Sequence, residues 1–421
     1  MKRIYNLSIG AFLCFAFLLV AAGAWGQQTA GTAAQITTYK IKDLGTLGTG
    51  ANSIPYWITD SGEVVGVSET GQTDSSGNTI AHAFRWVKGA MEDLGTLGGN
   101  NSTAFGVNQA GLVAGLADVT GGATSHAVVW HGNAMTDLGT LIGSAGFSYA
   151  QLVNDHHQVV GGSSLMDGSQ HAVLWDRGLI TDLGTMGGPN SFANGINERG
   201  QIVGGAQASN VNDPILGFPP YCAVLWNEGM MMNLGPGPNG IGSAAFNINN
   251  RTQVVGRFAL PDPVEGAVAH PFLWQRGVME DLGVLAGDDN SQANSLNDNG
   301  QVVGDAGVGF VESYSPDHAL LWQSGMLIDL NTLIPADSGY QLIVAFDINA
   351  RGEIVVCAVQ LSTGNVHAAL LIPAGPAVAL NTAHAATAGA ASKVASHLSE
   401  NARRLLVVAR SQKLTRAEKM Q

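Results

Sequence analysis

Cysteine is scarce in this sequence, and beyond residue 22 there is no long apolar run. Only three of the 421 residues are cysteines, and Cys14 lies within the first apolar run, which leaves Cys222 and Cys357. Two cysteines cannot form the disulfide framework that holds small exported domains together. The lack of a second apolar run excludes a later membrane-spanning helix. We therefore expect a fold stabilised by buried apolar side chains, and apolar residues make up 45% of the chain.

Basic residues are scarce in the middle of the chain. The formal net charge is −13, but residues 1–26 contribute +2 and residues 376–421 contribute +5, which leaves the part between them at −20. Because phosphate contacts depend on Lys and Arg, a body this acidic repels nucleic acid and anionic lipid. We therefore expect no nucleic-acid partner.

The N-terminus is typical of a secretory signal peptide. A basic start is followed by an apolar run at residues 9–22 and by small residues at 22–24. This run of about 14 residues is shorter than the roughly 20 needed to span a bilayer as a helix. We expect residues 1–26 to be removed and the mature protein to be secreted, to the periplasm or the extracellular space, with no membrane span.

Three short phrases recur seven times each, in a fixed order. The phrase Asp-Leu-Gly-Thr-Leu, or a variant of it, begins at Asp43, Asp93, Asp137, Asp182, Asn233, Asp281 and Asp329, at steps of 44 to 51 residues. The phrase Asn-x-x-Gly-x-Val-Val-Gly appears as INERGQIVG and in six further copies, and the phrase His-Ala-Phe-Leu-Trp as HAFRW and in six further copies. Repeats of this length indicate a solenoid or a propeller.

The unit at residues 171–205 shows how these phrases fold locally. The stretches SFANGIN and QIVGG are separated by Glu-Arg-Gly, and HAVLW and LITDL by Asp-Arg-Gly. A three-residue connection that ends in Gly places a left-handed residue third and closes a hairpin with a bulge. Each unit is therefore predicted to form two hairpins, that is, four short strands. Short apolar strands in groups of four fit sheets covered on both faces, as in a β-propeller.

The ends of the repeat array predict a closed ring. The array begins with a single strand at residues 39–44 and ends with three strands, the last at residues 367–372. We expect the N-terminal strand to complete the last unit, because this removes exposed sheet edges. The predicted fold is all-β: a monomeric seven-bladed β-propeller of four-stranded blades over residues 37–375. An Ala-rich linker and a short basic amphipathic helix follow within residues 376–421.

Three residues depart from the turn pattern. His157 and Thr252 replace the Gly of the first hairpin, and Asn133 replaces the Gly of the second. Asn tolerates the left-handed conformation, whereas β-branched Thr adopts it poorly. We expect the turn at residues 249–252 to be distorted.

With these phrases in place, the chain resembles the bacterial extracellular HAF-repeat family, named for its His-Ala-Phe phrase. The resemblance covers residues 38–373 and includes all three phrases in order. It implies export and a repeat scaffold. The family brings no established catalytic residues to this sequence, and the membrane-sorting tail that often ends its members is not evident here.

The repeated histidines and tryptophans are predicted to be structural. The histidines stand one per blade, and equivalent positions on neighbouring blades are more than about 10 Å apart, too far to share a metal ion held at about 2 Å. We expect each histidine to hydrogen-bond the neighbouring Asp-Leu-Gly turn and each tryptophan to pack within the blades. We expect no metal site and no cofactor.

Function is expected where the units differ, in the variable loops on one face of the ring. These loops and the innermost strands supply the candidate binding residues Asp288, Asp289, Glu312, Tyr314, Asp317, Asp337, Tyr340 and Asp347. Carboxylates and aromatic rings on one face suit a carbohydrate or a calcium ion, and they are also common in solvated loops. Asp347 either faces a central channel or accepts backbone hydrogen bonds from the next blade.

These observations predict a secreted binding or interaction scaffold for an extracellular glycan or protein. Two alternatives remain open: a polysaccharide lyase or hydrolase that uses the rim carboxylates, and a structural protein of the cell surface. The tail either docks on the acidic propeller or lies on an anionic surface. No nucleophile elbow, zinc-binding helix or phosphate-binding glycine loop is present in the sequence.

Overall fold

The computed structural model describes residues 37–121, 124–132, 134–308, 315–375 and Leu398. These residues form seven antiparallel sheets of four strands each, and each sheet packs against the next in a closed ring. The predicted seven-bladed β-propeller is therefore confirmed. The predicted signal peptide at residues 1–26 and, apart from Leu398, the tail at residues 376–421 lie outside the described residues.

Blades 1 to 4 follow one another along the chain, and within each blade the strands are paired in sequence order. Blade 1 is β2 (Ser53–Ile58), β3 (Val64–Thr73), β4 (Thr79–Val87) and β5 (Ala90–Asp93). Blade 2 is β6 (Gly98–Val107), β7 (Leu112–Val119), β8 (Ser125–His131) and β9 (Ala134–Gly139). Blade 3 is β10 (Ser148–Val153), β11 (Val159–Ser164), β12 (Gln170–Asp176) and β13 (Leu179–Asp182). Blade 4 is β14 (Ser191–Ile196), β15 (Ile202–Gln207), β16 (Tyr221–Asn227) and β17 (Met230–Gly235).

Blades 5 to 7 continue the ring. Blade 5 is β18 (Gly242–Ile248), β19 (Val254–Asp262), β20 (Gly266–Gln275) and β21 (Val278–Asp281). Blade 6 is β22 (Asn290–Leu296), β23 (Val302–Val308), β24 (Ser315–Gln323) and β25 (Met326–Asp329), followed by the 3₁₀ turn η1 (Leu330–Leu333). Blade 7 is β26 (Tyr340–Ile348), β27 (Ile354–Gln360), β28 (Val366–Pro373) and the N-terminal β1 (Tyr39–Asp43).

Ring closure by the N-terminal strand is confirmed. β1 pairs antiparallel with β28, in a register that runs from Tyr39 opposite Pro373 to Asp43 opposite Ala369. Blade 7 thus contains both ends of the propeller: β28 is paired on both sides, and β1 is the outermost strand of the blade.

The apolar core lies between adjacent blades. One typical cluster joins Val203 and Leu225 of blade 4 to Phe258 and Phe272 of blade 5. Small residues on the innermost strands let neighbouring sheets approach closely. At Gly106 of blade 2, for example, an added Cβ would lie 2.6 Å from Cδ1 of Leu152 in blade 3. Burial between sheets is therefore the main source of stability.

The centre of the ring is filled by one bulged residue from each innermost strand. The register shifts place these bulges at Tyr56, Phe105, Gln151, Asn194, Phe246, Asn294 and Phe346. All seven are buried. The ring of Tyr56 meets Phe105 of blade 2 at 5.3 Å and Phe346 of blade 7 at 5.2 Å between centroids. The axis is closed at this level.

The first hairpin of each blade forms as predicted, whereas the second differs. In blade 4 the Gly200 amide donates to the Asn197 carbonyl, with Gly200 at φ 72°, as in a three-residue connection with a bulge. The second hairpin is a two-residue type I′ turn, because Arg177 and Gly178 of blade 3 both have positive φ, at 51° and 77°. The predicted three-residue connection in the second hairpin is therefore wrong.

The predicted distortion at residues 249–252 is also wrong. Thr252 adopts the left-handed conformation at φ 60°, and its amide donates to Asn249 as in the other blades. Its Oγ1 donates to Oε1 of Gln201 at 2.8 Å, a contact that offsets the conformational strain. His157 is left-handed as well, at φ 63°, and Asn133 lies outside the described residues.

Antiparallel pairing gives the ring two distinct faces. The two hairpin turns of blades 1 to 6 and the single hairpin turn between β26 and β27 of blade 7 lie on one face, which we call the hairpin face. The connections from second to third strand and from one blade to the next lie on the other, which we call the loop face. Among the described candidate binding residues, Asp288, Asp289 and Asp337 lie in connections of the loop face.

Candidate functional site

The repeated histidines form structural pairs with the Asp-Leu-Gly turns. In five blades the histidine Nδ1 lies 2.8 Å from a carboxylate oxygen of the first residue of the phrase; the pairs are His82 with Asp93, His126 with Asp137, His171 with Asp182, His270 with Asp281 and His367 with Asp43. The same carboxylates accept the amide of the glycine two residues later. The predicted structural role is confirmed for these five.

The tryptophans are structural as well. The indole N–H of Trp175 donates to the Leu138 carbonyl of the preceding blade at 3.0 Å, and Trp226 and Trp322 make the equivalent bond. An indole held in this way between blades offers no stacking platform to a ligand.

Blade 6 breaks the histidine pattern. His318 Nδ1 lies 3.0 Å from Oδ2 of Asp288, in the connection that enters the blade, instead of bonding Asp329. Asp329 caps η1 and accepts the Asn331 amide, because Asn331 stands where the other blades have the turn glycine. The prediction that every histidine bonds its own Asp-Leu-Gly turn is therefore wrong for His318.

Charges are concentrated around this pair. Both side chains are only 6% exposed. Burial alone would lower the pKa of His318, but the hydrogen bond with Asp288 and the nearby carboxylates of Asp329 and Asp317 outweigh it and raise that pKa. Burial raises the pKa of Asp317 and of Asp329. The blade 6 cluster, defined here as Asp288, Asp317, His318 and Asp329, is thus a compact group of ionisable side chains at the loop face.

Tyr340 joins a second group, at the ring closure. Its hydroxyl donates to Oδ2 of Asp43 at 2.7 Å, and Nε2 of Gln360 lies 3.2 Å from the same oxygen. Burial alone would raise the pKa of Asp43, but hydrogen bonds from His367, the Gly45 amide and Tyr340 lower it to about 2. Tyr340 is thus tied to the scaffold.

Asp347 holds blades together near the axis. Its Oδ2 accepts the Ile58 amide of blade 1 at 3.0 Å, and its Oδ1 accepts the Ser295 hydroxyl of blade 6. The side chain is 3% exposed. Of the two roles considered, the structure shows the backbone hydrogen bond from the next blade.

The remaining predicted residues divide by exposure. Asp289 and Asp337 are exposed on the loop face. Glu312 and Tyr314 lie outside the described residues. The structure thus brings Asp288 and Asp317 together, places Tyr340 and Asp347 in separate structural networks, and leaves Asp289 and Asp337 exposed to solvent.

The loop face is acidic, and the hairpin face is nearly neutral. In their described parts, the connections of the loop face contain no Lys or Arg, and their acidic residues are Asp74, Asp167, Asp213, Glu265, Asp288, Asp289 and Asp337. The turns of the hairpin face carry seven acidic residues, Asp60, Glu63, Asp155, Glu198, Glu228, Asp298 and Glu353, and six basic ones, Lys88, Arg177, Arg199, Arg251, Arg276 and Arg351. The positive charge of the described chain is therefore kept off the loop face.

Aliphatic side chains are exposed among those carboxylates. They lie in the connections from second to third strand of blades 3, 4, 5 and 7, and are Met166, Val211, Ile215, Val264 and Leu361, from 40% to 89% exposed. The aromatic rings of this region are less available: Tyr221 is buried against Phe192, and Phe218 packs on Leu216. The described loop face therefore offers carboxylates and aliphatic groups rather than stacking rings.

The sequence analysis missed a ring of asparagines on the hairpin face. Nδ2 of Asn197 donates to the Asn249 carbonyl of the next blade at 3.0 Å, and five other blades repeat this bond. Thr59 occupies the seventh position. The Asn that begins six of the seven copies of the second phrase was the signal for this ring, because a turn alone does not require Asn so regularly.

The hairpin face also has a shallow polar groove in blade 5. It has a volume of about 350 Å³ and lies between the two hairpins, lined by Arg251, Thr252, Trp274 and Arg276 among others. Both arginines are exposed at the surface.

The described residues contain neither a metal-ligand cluster nor a helix that could cross a membrane. No group of three or more His, Cys, Asp or Glu side chains in these ranges is arranged to hold a metal ion. The part of the chain that the structure describes contains no helix of the length and apolarity needed to cross a bilayer.

No protein-family model matches this chain, and no curated protein matches it in sequence. The β-propeller domain of the Trilobed protease from Pyrococcus furiosus is similar in structure, with a TM-score of 0.52 at 8% identity over 80% of this chain and 99% of that domain. Acylaminoacyl peptidase from Pyrococcus horikoshii gives 0.47 at 10% identity over 77% of this chain, which spans about half (52%) of the peptidase. Oligogalacturonate lyase from Vibrio parahaemolyticus gives 0.44 at 11% identity, over 80% and 95% of the two chains.

Identities this low bear on the fold alone. The Pyrococcus furiosus domain is described as having an open velcro topology, whereas here β1 closes the ring by pairing with β28. That structural similarity and the topology of the 28 strands show that this chain is a seven-bladed β-propeller.

Proposed function

We propose that this protein is an exported propeller of the HAF-repeat type that binds a polypeptide partner through its loop face. The proposal is supported by the repeated phrases, by the signal-like N-terminus and above all by the loop face itself. That face combines carboxylates with exposed aliphatic side chains, and its described connections contain no basic residue. A partner that carries basic and apolar side chains complements such a surface in charge and in hydrophobicity.

The chemistry of the loop face favours a polypeptide over a glycan. Sugar-binding surfaces rely on exposed aromatic rings and on aligned polar groups. In the described part of this face, Tyr221 is buried and the Tyr340 hydroxyl is bonded to Asp43. The exposed groups are instead Met166 and Val264 beside carboxylates.

Binding of defined probes to the full mature chain tests the proposal. One probe is a synthetic helical peptide with Lys and Leu on opposite faces; the others are a peptide of equal charge without Leu, a neutral polysaccharide and an acidic polysaccharide. We expect the Lys/Leu peptide to bind most tightly and its affinity to fall as salt is raised. Selective binding of a polysaccharide, with no binding of either peptide, contradicts the proposal and favours a glycan.

A matched pair of variants locates the binding surface. Glu265→Gln, Asp289→Asn and Asp337→Asn together neutralise exposed loop-face carboxylates, whereas Glu92→Gln, Glu228→Gln and Glu280→Gln neutralise three exposed carboxylates elsewhere. Each exposed charge is worth roughly 0.2–1 kcal/mol, so the three changes of the first set should together weaken peptide binding about 3- to 150-fold. The control set should change it less than about threefold. Equal effects of the two sets would mean that net charge, and not the loop face, attracts the peptide.

One observation favours an enzyme as a second candidate. The blade 6 cluster holds His318 among three carboxylates, and the pKa values of His318, Asp317 and Asp329 are raised, as in sites that perform acid–base chemistry. If the protein is a polysaccharide lyase or hydrolase that uses this cluster, the His318→Gln variant should lose turnover. Its circular dichroism spectrum should remain that of the parent protein. Incubation of the parent protein with a panel of polysaccharides, followed by product analysis, tests this enzymatic function. The absence of products contradicts it.

A further inference from the structure

One residue of the C-terminal segment contacts the propeller. Leu398 is half-buried and packs against the largest apolar cluster, which draws side chains from blades 7, 1, 2 and 3. That cluster spans the depth of the ring: it includes Leu47 and, at its edge, Phe147 from loop-face connections, and also Ile58 and Ile372 near the hairpin-face ends of their strands. Leu398 is also one of the apolar residues whose helical spacing predicts an amphipathic helix in this segment.

The C-terminal segment and the loop face are complementary. Residues 376–421 carry seven basic and two acidic residues, a net charge of +5. The described connections of the loop face carry acidic residues and no basic ones, whereas six basic residues lie in the turns of the hairpin face. Apolar residues alternate with the charges on both partners, with Leu398 and Leu405 in the segment and Met166 and Val264 on the loop face. Exposed apolar side chains also flank the hairpin-face turns, at Leu179, Met230 and Val278, so charge is the property that favours the loop face over the hairpin face.

The segment is long enough to reach that face. β28 is a third strand, so it ends at Pro373 on the hairpin face. From Gly375 to Leu398 the chain has 23 residues, which span up to about 75 Å when extended. A strand of six residues rises only about 20 Å, so the linker can pass around the outside of a blade.

We infer that residues 392–418 bind in cis to the loop face of their own propeller, with Leu398 as an apolar anchor and the basic side chains on the loop-face carboxylates. The inference rests on the proposed function in one respect, namely that the loop face binds polypeptides with basic and apolar side chains. It adds that the chain carries its own occupant of this surface, so an external partner must displace it.

Zero-length cross-linking of the full mature chain locates the segment. A carbodiimide couples a lysine amine to a carboxylate in direct contact, and Lys393, Lys413 and Lys419 all lie in or next to the segment. We expect intrachain links from these lysines to loop-face carboxylates such as Glu265, identified by mass spectrometry. Links mainly to hairpin-face carboxylates such as Glu228, links only between chains, or no links at all would overturn the inference.

Charge reversal provides the matched control. Arg403→Glu, Arg404→Glu and Arg410→Glu together remove the basic charges and leave the three reactive lysines in place. The control reverses Lys88, Arg177 and Arg276, which begin type I′ turns on the hairpin face. Glu already occupies that turn position in blade 4, at Glu228. The loop-face links should disappear in the first variant and persist in the second.

Binding of the segment in trans separates the two proposals. A linked segment acts at an effective concentration of about 1 mM, so if its own affinity is near 100 μM, the triple Arg→Glu variant should bind a synthetic 392–418 peptide about tenfold more tightly than the parent. Equal affinity for both proteins, without loop-face links, overturns the inference and leaves the proposed function standing. Loop-face links without binding of any external peptide by either protein overturn the proposed function and leave the inference standing.

Discussion

At the scale of single residues, the carboxylate of Asp43 ties the first strand of the ring to all three other strands of blade 7. It bonds His367 on β28, Tyr340 on β26 and Gln360 on β27. A mainly local contact in the other blades, between a third and a fourth strand, here becomes part of the ring closure. Loss of the Asp43 carboxylate should therefore lower the stability of the whole molecule more than loss of the equivalent carboxylate in another blade.

Replacement of Asp43 by Asn should lower the thermal midpoint more than Asp93→Asn, the same change in blade 1. Asn fits the position, since Asn233 occupies it in blade 4. The pKa of Asp43 is lowered from 3.8 to about 2, so its ionised form stabilises the fold above about pH 4 and this contribution is lost as the pH falls through 2. Because the side chain is 26% exposed, we discount the shift to about 1–2 kcal/mol. Calorimetry from pH 2 to 7 checks this pH dependence. A difference in thermal midpoint between the parent and Asp43→Asn that does not shrink toward pH 2 would contradict the prediction.

The left-handed turn residues give a second residue-scale prediction. His157 is exposed at φ 63° and its side chain makes no hydrogen bond among the described residues, whereas Thr252 at φ 60° bonds Gln201. His157→Gly should stabilise the protein by about 0.5–1 kcal/mol, because Gly adopts this conformation without a Cβ clash. Thr252→Gly relieves more strain but loses a hydrogen bond worth about 1 kcal/mol, so its net effect should be smaller. Urea unfolding measures both, and a destabilising His157→Gly would be the contrary result.

At the scale of elements, the asparagine ring links the first hairpins of successive blades. Each Asn accepts two amides of its own turn and donates to the next blade, so one side chain fixes both the turn and its neighbour. The ring lacks one donor, because Thr59 in blade 1 has no amide group to reach the Asn108 carbonyl.

Thr59→Asn should therefore supply the missing link. Its Oδ1 replaces the Thr59 hydroxyl that now accepts the Glu63 amide, and its Nδ2 gains the Asn108 carbonyl. One added hydrogen bond is worth about 0.5–1.5 kcal/mol. The converse change, Asn197→Asp, keeps the acceptor and removes the donor, so it should cost about 1–3 kcal/mol. Denaturant midpoints of the two variants should move in opposite directions; a shift of both in the same direction would show that the ring is not a source of stability.

The blade 6 cluster supports a titration experiment. The carboxylates around His318 raise its pKa, so the pair with Asp288 stabilises the fold at pH values below the ordinary histidine range, and this contribution is lost as the pH rises through the raised pKa. Asp288→Asn should lower the titration midpoint of His318 measured by NMR. Asp289→Asn, one residue away and exposed, should leave it unchanged. An equal response to the two changes would show that the field of the loop face, rather than the pair, sets this pKa.

Much of each element was predictable from the sequence, because short apolar strands between turn residues have one stable arrangement in a repeat. What could not be predicted depended on tertiary position. The Arg177-Gly178 turn has two left-handed residues, although its phrase resembles that of the three-residue turn. His318 has the same sequence context as its five counterparts, yet it bonds Asp288 because Asn331 changed the turn across from it.

The candidate site shows the same limit. Residue type and loop position identified the acidic loop face, but burial separates Asp347, which bonds the next blade, from exposed Asp337. The exposed Met166 and Val264 were not singled out, since isolated apolar residues in loops carry no periodic pattern.

At the scale of the whole molecule, the two ends of the chain should contribute unequally to stability. β1 contributes Tyr39, 3% exposed, five paired residues and the Asp43 network to blade 7. The C-terminal segment contributes one described contact, the half-buried Leu398. A mature chain that ends at residue 375 should therefore unfold within about 2–3 °C of the full chain.

A chain that begins at residue 45 should behave differently. Without β1 the edge of β28 is open and blade 7 has three strands, so we expect loss of cooperative unfolding or concentration-dependent association through that edge. Open rings exist, since the Pyrococcus furiosus domain is described as an open velcro propeller, so the test concerns this chain's dependence on its first strand. Calorimetry and light scattering decide it. If the chain from residue 45 stays monomeric and unfolds like the parent, the ring is held by contacts between blades alone, and the Asp43 network is an addition to a fold that closes without it.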